Sequence, residues 1–435
     1  MKFLRSGEEA FQRYLSEVEA RAVQETDQVE RNVRSILKAV RQRGDEALIR
    51  YTSRFDGVRL TAQQFRVRKG EVKEAYRKIP REFLETLEKA ARRIRTFHQL
   101  LKKRSIRTFY QKEGKEKGIN LGQIITPLER VGVYVPGGKA SYPSTVLMAA
   151  IPAKVAGVRE VLMVTPPRKE GISPAVLAAA DLAGVDRIYR VGGVQAIGAL
   201  AYGTASIPKV DKIIGPGNRY VAAAKRFVYG LVDIDMVAGP SEIVVISDEK
   251  TPPSYVAADL ISQAEHDEMA LVILITPSKR FGVNVREELK RQLASCERKR
   301  IAQTSLSRRG AILVVKNLNQ AVKVANRIAP EHLELAVSNP ASLVKGVRHA
   351  GAVFLGPHTP EAIGDYLAGP NHILPTAGTA RFSSSLGVED FMKRTNVIRF
   401  TRSALGQFEK DVQRFTVWEG LGGHYRALEV RLRSS

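Results

Sequence analysis

Gln263 and His266 lie three residues apart in a stretch whose apolar residues have helical spacing. Residues three apart on a helix project from one face, so an imidazole nitrogen would lie beside an amide oxygen. Neutral imidazole is a good zinc ligand, and carbonyl or carboxylate oxygens can complete a mixed nitrogen and oxygen shell. The pattern indicates part of a metal site, and a solvated helix end is the alternative explanation.

A glutamate and a histidine follow a proline at Pro330-Glu331-His332. Two adjacent groups with different pKa values can carry out two proton transfers near neutral pH, so this pair is a candidate acid and base. A solvated turn explains the same residues equally well. Asp365, in a glycine-containing loop, is a carboxylate that could supply an anionic metal ligand.

Four of the seven histidines lie close to a carboxylate or beside a glycine or proline turn. These four are His266, His332, His372 and His424. His98 lies on the apolar stripe of a long predicted helix and is expected at the edge of a core, whereas His349 and His358 are expected at the surface. The distribution of the histidines strengthens the metal or acid–base interpretation of the first four.

Three glycine-containing loops follow predicted strands, at residues 137–138, 192–193 and 215–217. The last two open predicted helices, where backbone amides and the helix dipole favour a phosphate. None has the full G-x-G-x-x-G spacing, and a tight turn explains each glycine pair as well. Three such loops at one edge of a parallel sheet predict a ligand crevice beyond the carboxyl ends of the strands.

The chain changes near residue 125 from charged helices to short apolar strands that alternate with alanine-rich helices, and a second alternating set begins at residues 243–246. Repeated strand–helix–strand units predict parallel sheets covered by helices, so we expect an α/β protein. The first 25 residues are predicted to form a helical arm with no strand. The segment after Pro375 has too little apolar periodicity to fold alone, and we expect it to wrap around another subunit.

Composition narrows the class of protein. With 435 residues, of which 44% are hydrophobic and 26% charged, the chain is long enough for two or more domains of globular composition. No apolar run reaches the roughly eighteen residues of a membrane helix, and the first residues lack a secretory apolar core, so a cytoplasmic protein is expected. Cys296 is the only cysteine, which excludes an intramolecular disulfide and a thiolate zinc cluster within one chain.

The formal net charge of +24 invites comparison with nucleic-acid-binding proteins. The lysines and arginines are instead scattered along predicted helices, for example within residues 92–104 and 290–300. They lack interleaved aromatic residues and a recognisable reading motif. Nucleic acid binding is therefore disfavoured as the main function.

Several motifs spread along the chain resemble the signature of the histidinol dehydrogenase family, and they occur in the family's order from about residue 25 to residue 425. Together they are highly specific. They are Tyr134-Val135-Pro136-Gly137-Gly138, Gly193-Val194-Gln195-Ala196-Ile197, Gly215-Pro216-Gly217-Asn218, Ala238-Gly239-Pro240-Ser241-Glu242, Gln263-Ala264-Glu265-His266, Ala329-Pro330-Glu331-His332, Gly364-Asp365-Tyr366 and Asn371-His372-Ile373-Leu374-Pro375-Thr376.

The resemblance implies a zinc-dependent oxidation of L-histidinol to L-histidine through L-histidinal, with two NAD consumed. It also implies a homodimer with shared active sites, built from two incomplete Rossmann-like parallel-sheet domains with a helical N-terminal arm and an extended C-terminal tail. The domain on the zinc and substrate side would contain residues 26–125 and 242–375, and the domain on the NAD side would contain residues 126–241. Residues 376–435 would form the tail that reaches the partner's active site.

The same resemblance assigns roles to individual residues. Zinc would be held by Gln263, His266, Asp365 and His424, the last from the partner subunit. L-histidinol would contact these four ligands and also Ser241, His332, His372 and Glu419, with Glu419 again from the partner subunit. NAD would contact Tyr134, Gln195 and Asn218, and the catalytic pair would be Glu331 and His332.

Two other functions fit parts of this pattern. A zinc hydrolase could use Gln263, His266, Asp365 and Glu331, but it would need no NAD. A basic nucleic-acid-binding protein would show steeply salt-dependent affinity and no zinc requirement. Production of NADH from histidinol, before and after chelation, separates these three functions.

Overall fold

The computed structural model describes residues 1–21, 27–105, 110–111, 118–137 and 141–433, and for residues 103–105 and 110–111 it describes the backbone alone. Gly138 of the first predicted loop and residues 22–25 of the predicted arm lie outside the described residues. The contacts divide the chain into two compact units. The first contains Met1–Leu101 and Leu128–Phe391, and the second contains Lys102–Pro127 and Met392–Ser435.

The bounds of the strands and helices, in chain order, are as follows. The strands are β1 (Lys2–Arg5), β2 (Tyr110–Gln111), β3 (Ile119–Pro127), β4 (Arg130–Tyr134), β5 (Glu160–Thr165), β6 (Arg187–Arg190), β7 (Lys212–Ile214), β8 (Asp233–Ile234), β9 (Glu242–Ser247), β10 (Leu271–Thr276), β11 (Ala311–Val314), β12 (His332–Ala336), β13 (Ala352–Leu355) and β14 (Met392–Phe400). The helices are α1 (Glu9–Glu19), α2 (Asp27–Arg43), α3 (Asp45–Asp56), α4 (Lys69–Arg77), α5 (Arg81–Ser105), α6 (Pro143–Ala156), α7 (Pro174–Ala183), α8 (Gly193–Tyr202), α9 (Arg219–Val228), α10 (Pro253–Ala264), α11 (Lys279–Leu293), α12 (Lys299–Arg308), α13 (Leu318–Ile328), α14 (Pro340–Val344), α15 (Glu361–Tyr366), α16 (Arg402–Gln407), α17 (Glu409–Glu419) and α18 (Gly422–Arg433).

Two parallel sheets form the body of the first unit. One has six strands in the order β1-β11-β10-β9-β12-β13, and the other has five in the order β6-β5-β4-β7-β8. All the strand pairs of both sheets run parallel. The predicted α/β fold with parallel sheets is therefore confirmed. In the five-stranded sheet the strand order reverses at β4, and ligands bind α/β proteins outside the strand ends at such a point.

Helices on both faces explain why the central strands are continuous apolar runs. Every residue of β9 and of β10 is buried, which is the pattern of a parallel strand covered on both sides. The two faces of the six-stranded sheet contribute to separate clusters of buried side chains. The ends of β9 and β12 are therefore held by a packed core, and these ends carry the candidate catalytic residues.

The N-terminal arm differs in one respect from its prediction. Strand β1 pairs in parallel with β11 and adds an edge to the six-stranded sheet, whereas the sequence predicted no strand there. Helix α1 follows and buries Phe11, Leu15 and Val18 against the same sheet. Four residues are too few to show a period of two, so the strand is defined by its neighbour rather than by its own sequence.

Helices α2 and α3 pack on the five-stranded sheet. Val33, Leu37 and Leu48 belong to the same buried cluster as Leu162 and Ile213 of that sheet. The sequence had grouped residues 26–125 with the other sheet, and the packing corrects this grouping for α2 and α3. An apolar stripe predicts that a helix has a buried face, but the stripe does not identify the sheet that covers it.

The second unit contains more regular structure than the predicted extended tail. Strand β14 pairs antiparallel with β3 over nine residues, from Met392 opposite Pro127 to Phe400 opposite Ile119, and β2 extends this sheet. Helices α16, α17 and α18 follow β14 and contact one another. The tail folds because residues far back in the sequence supply its partner strand, which periodicity within the tail does not reveal.

Among the residues that the structure describes, no helix combines the length and the apolar character that crossing a membrane requires.

Candidate active site

The candidate catalytic pair lies where β12 begins beside β9. Helix α13 ends at Ile328 and is capped by Ala329, whose φ of 50° is left-handed; Pro330 then directs the chain into β12. In the parallel register His332 lies opposite Ile243. Glu331 and His332 therefore both face the first residue of β9, Glu242.

The backbone of Glu242 contacts both members of the pair. Its N–H donates to Oε2 of Glu331 at 2.9 Å, and its carbonyl oxygen lies 3.0 Å from Nδ1 of His332. A carbonyl only accepts, so this contact requires the proton of the neutral imidazole to be on Nδ1. Nε2 of His332 then carries a lone pair, and it is buried without a hydrogen-bond partner among the described residues. This nitrogen is the one available to take a proton.

Burial sets the protonation of the pair in opposite directions. Desolvation lowers the pKa of His332 to about 3, with the neighbouring His372 and His266 lowering it further and the Glu242 carbonyl opposing them. Desolvation raises the pKa of Glu331 well above its ordinary value, against the effect of the Glu242 N–H. The imidazole is thus held neutral, and the carboxylate, when ionised, is a stronger base than a solvated one.

Glu361, which the sequence analysis did not single out, lies in the same cluster. Its carboxylate accepts hydrogen bonds at 2.5 and 2.7 Å from the amide nitrogen of Gln263, in the amide orientation that gives both groups suitable partners. Oε1 of Glu361 also lies 3.6 Å from Nδ1 of His332. In this orientation the amide oxygen of Gln263 faces hydrogen-bond donors instead of the Glu361 carboxylate.

A group of possible metal ligands is centred on Asp365. Side-chain ligand atoms of His332, Glu361 and Asp365 all lie within 4.8 Å of one another. Only Asp365 belongs to both this group and the predicted set of zinc ligands. Burial raises the pKa of Asp365 to about 6 and raises the pKa of Glu361 well above its ordinary value. A divalent cation would reverse these shifts by stabilising the ionised carboxylates.

The other two predicted zinc ligands of the first unit are Gln263 and His266, and His372 is a predicted substrate contact. Gln263 is fully buried near the end of α10, and His266 follows one turn later, where desolvation lowers its pKa. Nδ1 of His372 lies 2.9 Å from the backbone oxygen of Asp365, and desolvation lowers the pKa of His372 to about 4. A protonated His266 would lower the pKa of both His332 and His372. Neutral histidines of this kind can act as ligands.

The predicted NAD side lies at the carboxyl ends of the five-stranded sheet. Tyr134 ends β4, and its hydroxyl accepts a hydrogen bond of 3.1 Å from the N–H of Gly193 at the start of α8. Gln195, on the first turn of α8, is buried, and neither of its amide atoms has a hydrogen-bond partner among the described residues. A buried amide without partners is costly, so a bound polar group is expected to satisfy it.

The glycine loop at residues 215–217 is held close to β4. Gly215 has a φ of 109°, and a Cβ added to it would meet the backbone oxygen of Tyr134 at 2.1 Å, so glycine is required there. Asn218 accepts hydrogen bonds from Tyr220 and Val221 and thereby caps α9. Its side chain therefore already has a structural role at a helix N-terminus, the place where phosphates bind.

A surface cleft adjoins this edge of the sheet. It is lined by Pro136, Gly137, Ser141, Thr165, Pro166, Arg168, Ile172, Ser173 and Val176. Most of the lining residues follow β4 and β5, so the cleft lies at the carboxyl edge of the sheet. Of the described residues in the three predicted glycine loops, it includes Gly137 alone. Gly137 and Gly192 both pack on Pro166, where an added Cβ would clash.

A family model described as histidinol dehydrogenase matches residues 19–432. The chain belongs to the histidinol dehydrogenase family. It is 52% identical to the histidinol dehydrogenase of Syntrophotalea carbinolica over 435 residues, 100% of both chains, and 52% identical to that of Bacillus cereus over 428 residues, 97% of this chain and 98% of the other. The crystal structure of histidinol dehydrogenase from Elizabethkingia anophelis has a TM-score of 0.92 at 36% identity, covering 100% of this chain and 98% of that one.

Membership of the histidinol dehydrogenase family confirms the predicted oxidoreductase. Within the first unit the structure brings together Gln263, Glu331, His332, Asp365 and His372, which are separated by up to about a hundred residues in sequence. Ser241 precedes β9, where its carbonyl accepts the N–H of Leu271.

Two of the predicted site residues, Glu419 and His424, lie in the second unit. Glu419 ends α17, and His424 lies on the first turn of α18. Both side chains are exposed. The roles predicted for them in a partner's site remain predictions.

The sequence did hold a signal for Glu361. It lies four residues before Asp365 on the short helix α15, and residues four apart share a helix face. The preceding Pro360 marks the helix start. The same reasoning that paired Gln263 with His266 therefore applies to Glu361 and Asp365.

Proposed function

We propose that this protein catalyses the zinc-dependent, four-electron oxidation of L-histidinol to L-histidine with two NAD, the closing steps of histidine biosynthesis. The observation that carries the proposal is the buried Glu331–His332 pair, with a free imidazole nitrogen, next to the cluster around Asp365. Family membership supports the choice of substrate, because relatives that are 52% identical to this chain carry the name histidinol dehydrogenase.

The donor set fits zinc. Gln263, His266 and Asp365 supply an amide oxygen, an imidazole and a carboxylate, and His424 of a partner subunit would supply a second imidazole. The buried carboxyls with raised pKa values support a bound cation, since the cluster is otherwise poorly solvated. Zinc held there would supply a fixed positive charge that anchors the amino and imidazole nitrogens of the substrate.

His332 is proposed to act as base in both oxidations. Its Nε2 would take the proton of the substrate hydroxyl, and its Nδ1–H would stay on the Glu242 carbonyl and keep the ring in place. Bound NAD would supply the hydride acceptor in each half of the reaction. The first half converts the alcohol to an aldehyde with loss of one hydride and one proton.

Glu331 is proposed to activate the water that hydrates the aldehyde. The carboxylate would take a proton from water as the water oxygen attacks the carbonyl carbon. Protonated His332 would return the proton from the first oxidation to the carbonyl oxygen, which gives a gem-diol and leaves His332 neutral. His332 would then take a second hydroxyl proton while the second hydride leaves, and the product is the carboxylic acid. The raised pKa of Glu331 supports this role, because a more basic carboxylate removes a proton from water more readily.

The carboxyl edge of the five-stranded sheet, beyond β4 and β7, is proposed to bind NAD. Gln195 offers an unsatisfied buried amide, Tyr134 offers a hydroxyl at the end of β4, and the N-terminus of α9 beside Asn218 favours a phosphate. Tyr134 ends β4 and Asn218 follows β7, the two strands between which the strand order reverses. Tyr134 also contacts the start of α8, the helix that carries Gln195. This arrangement supports a nicotinamide dinucleotide rather than a hydrolytic reaction without a cofactor.

A homodimer with shared active sites is part of the proposal. Near Glu419 and His424, the side chains of Phe415, Val417 and Trp418 are 70%, 73% and 91% exposed. Exposed apolar and aromatic side chains in one segment are typical of a protein contact surface. A second copy of the chain is the proposed occupant, with Glu419 and His424 reaching its active site and helping to retain the aldehyde.

Mixing two inactive variants tests the sharing. His332→Ala removes a residue that each subunit contributes to its own active site, whereas His424→Ala removes a residue that each subunit contributes to the partner's active site. Subunit exchange should restore about a quarter of the wild-type activity, because half of the dimers are mixed and each mixed dimer has one complete site. No recovery, with exchange verified by differently tagged subunits, would reject sharing through His424.

The central test is NADH formation from L-histidinol. The zinc-loaded protein should release two NADH per histidinol, lose this activity on chelation and regain it when zinc is restored. A zinc hydrolase would form no NADH, and a nucleic-acid-binding protein would instead show salt-dependent affinity for DNA or RNA. Absence of NADH from the zinc-loaded protein would overturn the proposed function.

A further inference from the structure

The N-terminal arm places an arginine against the residue that holds the catalytic pair. Arg21, two residues after the end of α1, forms a two-pronged ion pair with Glu242: Nε lies 2.6 Å from Oε1 and Nη2 lies 2.8 Å from Oε2. The Arg21 and Glu242 side chains are only 6% and 3% exposed. The fork geometry fixes a carboxylate in both position and plane, which a lysine would not do.

Glu242 connects this ion pair to the catalytic residues. Its carboxylate accepts from Arg21 and also, through Oε1, from the N–H of Ala377 at 3.1 Å. Its backbone N–H and carbonyl contact Glu331 and His332 at 2.9 and 3.0 Å. Holding the side chain of Glu242 on one side therefore fixes the two backbone groups on the other.

Arg21 also contacts the second segment that leads to the pair. Its Nη2 donates to the carbonyl of Ile328 at 2.8 Å, at the end of α13, four residues before His332. Its Nη1 donates to the carbonyl of Val18 at 2.7 Å, which fixes the guanidinium to α1. One guanidinium thus joins the beginning of β9 and the approach to β12, the two segments whose spacing sets the geometry of the pair.

We propose that Arg21 and Glu242 are positioning residues for the Glu331–His332 pair, so that the N-terminal arm is a working part of the active site. This inference rests on the proposed function. Neither residue needs to touch the substrate. A shift of about 1 Å in a catalytic group can cost a factor of about a hundred in rate, so loosening Glu242 should lower turnover more than substrate affinity.

Three variants loosen the clamp in different ways. Glu242→Gln keeps both backbone contacts to the pair but removes the charge that Arg21 binds. Arg21→Lys keeps a positive charge without the fork, and Arg21→Met removes the charge. We expect kcat to fall about 10- to 100-fold in Glu242→Gln and Arg21→Met, the range found when outer partners of site residues are removed, with KM for histidinol changed less than about threefold. Arg21→Lys should retain more activity than Arg21→Met.

Arg327→Gln is the matched control. Arg327 also links α13 to α1, through an ion pair of 2.7 Å with Glu19, but the two side chains are 42% and 31% exposed and neither contacts Glu242. Its kcat should stay within about twofold of wild type, since exposed ion pairs contribute little. All rates are normalised to folded protein, measured by circular dichroism and zinc content.

The outcomes separate the two proposals. If Arg21→Lys and Glu242→Gln match the control in kcat per folded site, the positioning role is wrong even though the proposed function stands. The same conclusion follows if both variants raise KM and leave kcat unchanged. Arg21→Lys and Glu242→Gln decide the question if Arg21→Met fails to fold. If the wild-type protein forms no NADH from histidinol, the proposed function and the positioning role both fail.

Discussion

Replacing Glu331 by glutamine should separate the two halves of the proposed reaction. Glutamine has nearly the same shape, and its side-chain oxygen can still accept the N–H of Glu242 that Glu331 accepts at 2.9 Å. The substitution therefore removes the base and keeps the hydrogen bond that orders the segment. His332 keeps its contact to the Glu242 carbonyl, which does not involve Glu331.

The expected losses in the two halves differ by orders of magnitude. A positioned base contributes about 10²- to 10⁴-fold to the rate, which corresponds to about 3 to 5 kcal/mol. Oxidation of the aldehyde needs Glu331 to activate water and should fall by that factor. Oxidation of the alcohol relies on His332 and should fall less than about tenfold, a loss that reflects removal of a carboxylate 3.7 Å from its Nδ1.

Stopped-flow measurement of NADH, with L-histidinol and L-histidinal as separate substrates, gives the two rates. Glu334→Gln is the matched control. Glu334, on β12 three residues after Glu331, is also a buried glutamate with a raised pKa, and its hydrogen bond from the Glu361 N–H survives the change. The control should keep both rates close to wild type. An equal loss in both halves of Glu331→Gln would refute the division of labour between Glu331 and His332.

Glu331 should also determine how the rate of aldehyde oxidation depends on pH. Burial raises the pKa of Glu331, and the base acts only when it is ionised. The rate should therefore rise with pH through a pKa above that of an ordinary carboxyl, and this limb should be absent from Glu331→Gln. If the same rise with pH persists in Glu331→Gln, another group is responsible for it.

Three further outcomes follow from the same contacts. Zinc content measured by atomic absorption should be lost in Asp365→Asn and retained in His332→Asn; loss of zinc in the second would make His332 a ligand. Lys225→Met should lower the free energy of unfolding, measured in urea, by about 3 to 5 kcal/mol. The side chains of Lys225 and Asp235 form an ion pair and are only 2% and 1% exposed, so the substitution leaves a buried carboxylate without its partner. A loss below about 1 kcal/mol would contradict this. Burial lowers the pKa of His98 from 6.5 to about 4, so the folded state favours the neutral imidazole. The stability that this residue contributes is fully present above its pKa in the unfolded state, and it is lost as the pH falls towards its pKa in the folded state. Between pH 7 and pH 5 the free energy of unfolding of His98→Leu should therefore fall by about 2 kcal/mol less than that of the wild type. If the free energies of unfolding of the two proteins change equally with pH, the assignment to His98 is wrong.

The sequence was sufficient for features that depend on neighbours along the chain. Apolar runs alternating with alanine-rich helices predicted parallel sheets, because a buried strand and a covering helix each carry their period within about ten residues. The spacing of Gln263 and His266 and the adjacency of Glu331 and His332 identified candidate chemistry for the same reason. The motifs in family order then specified which oxidoreductase to expect.

Tertiary structure decided the features that depend on contacts between distant segments. Glu242 is 89 residues from Glu331 and 90 from His332, yet its backbone determines which imidazole nitrogen is free. Arg21 is 221 residues from Glu242, and no periodicity within either segment connects them. Which sheet covers α2, and which strand pairs with β14, were decided in the same way. A side chain's type and local spacing set what chemistry it can do, but only packing brings together the backbone groups and charges that fix its protonation and its direction.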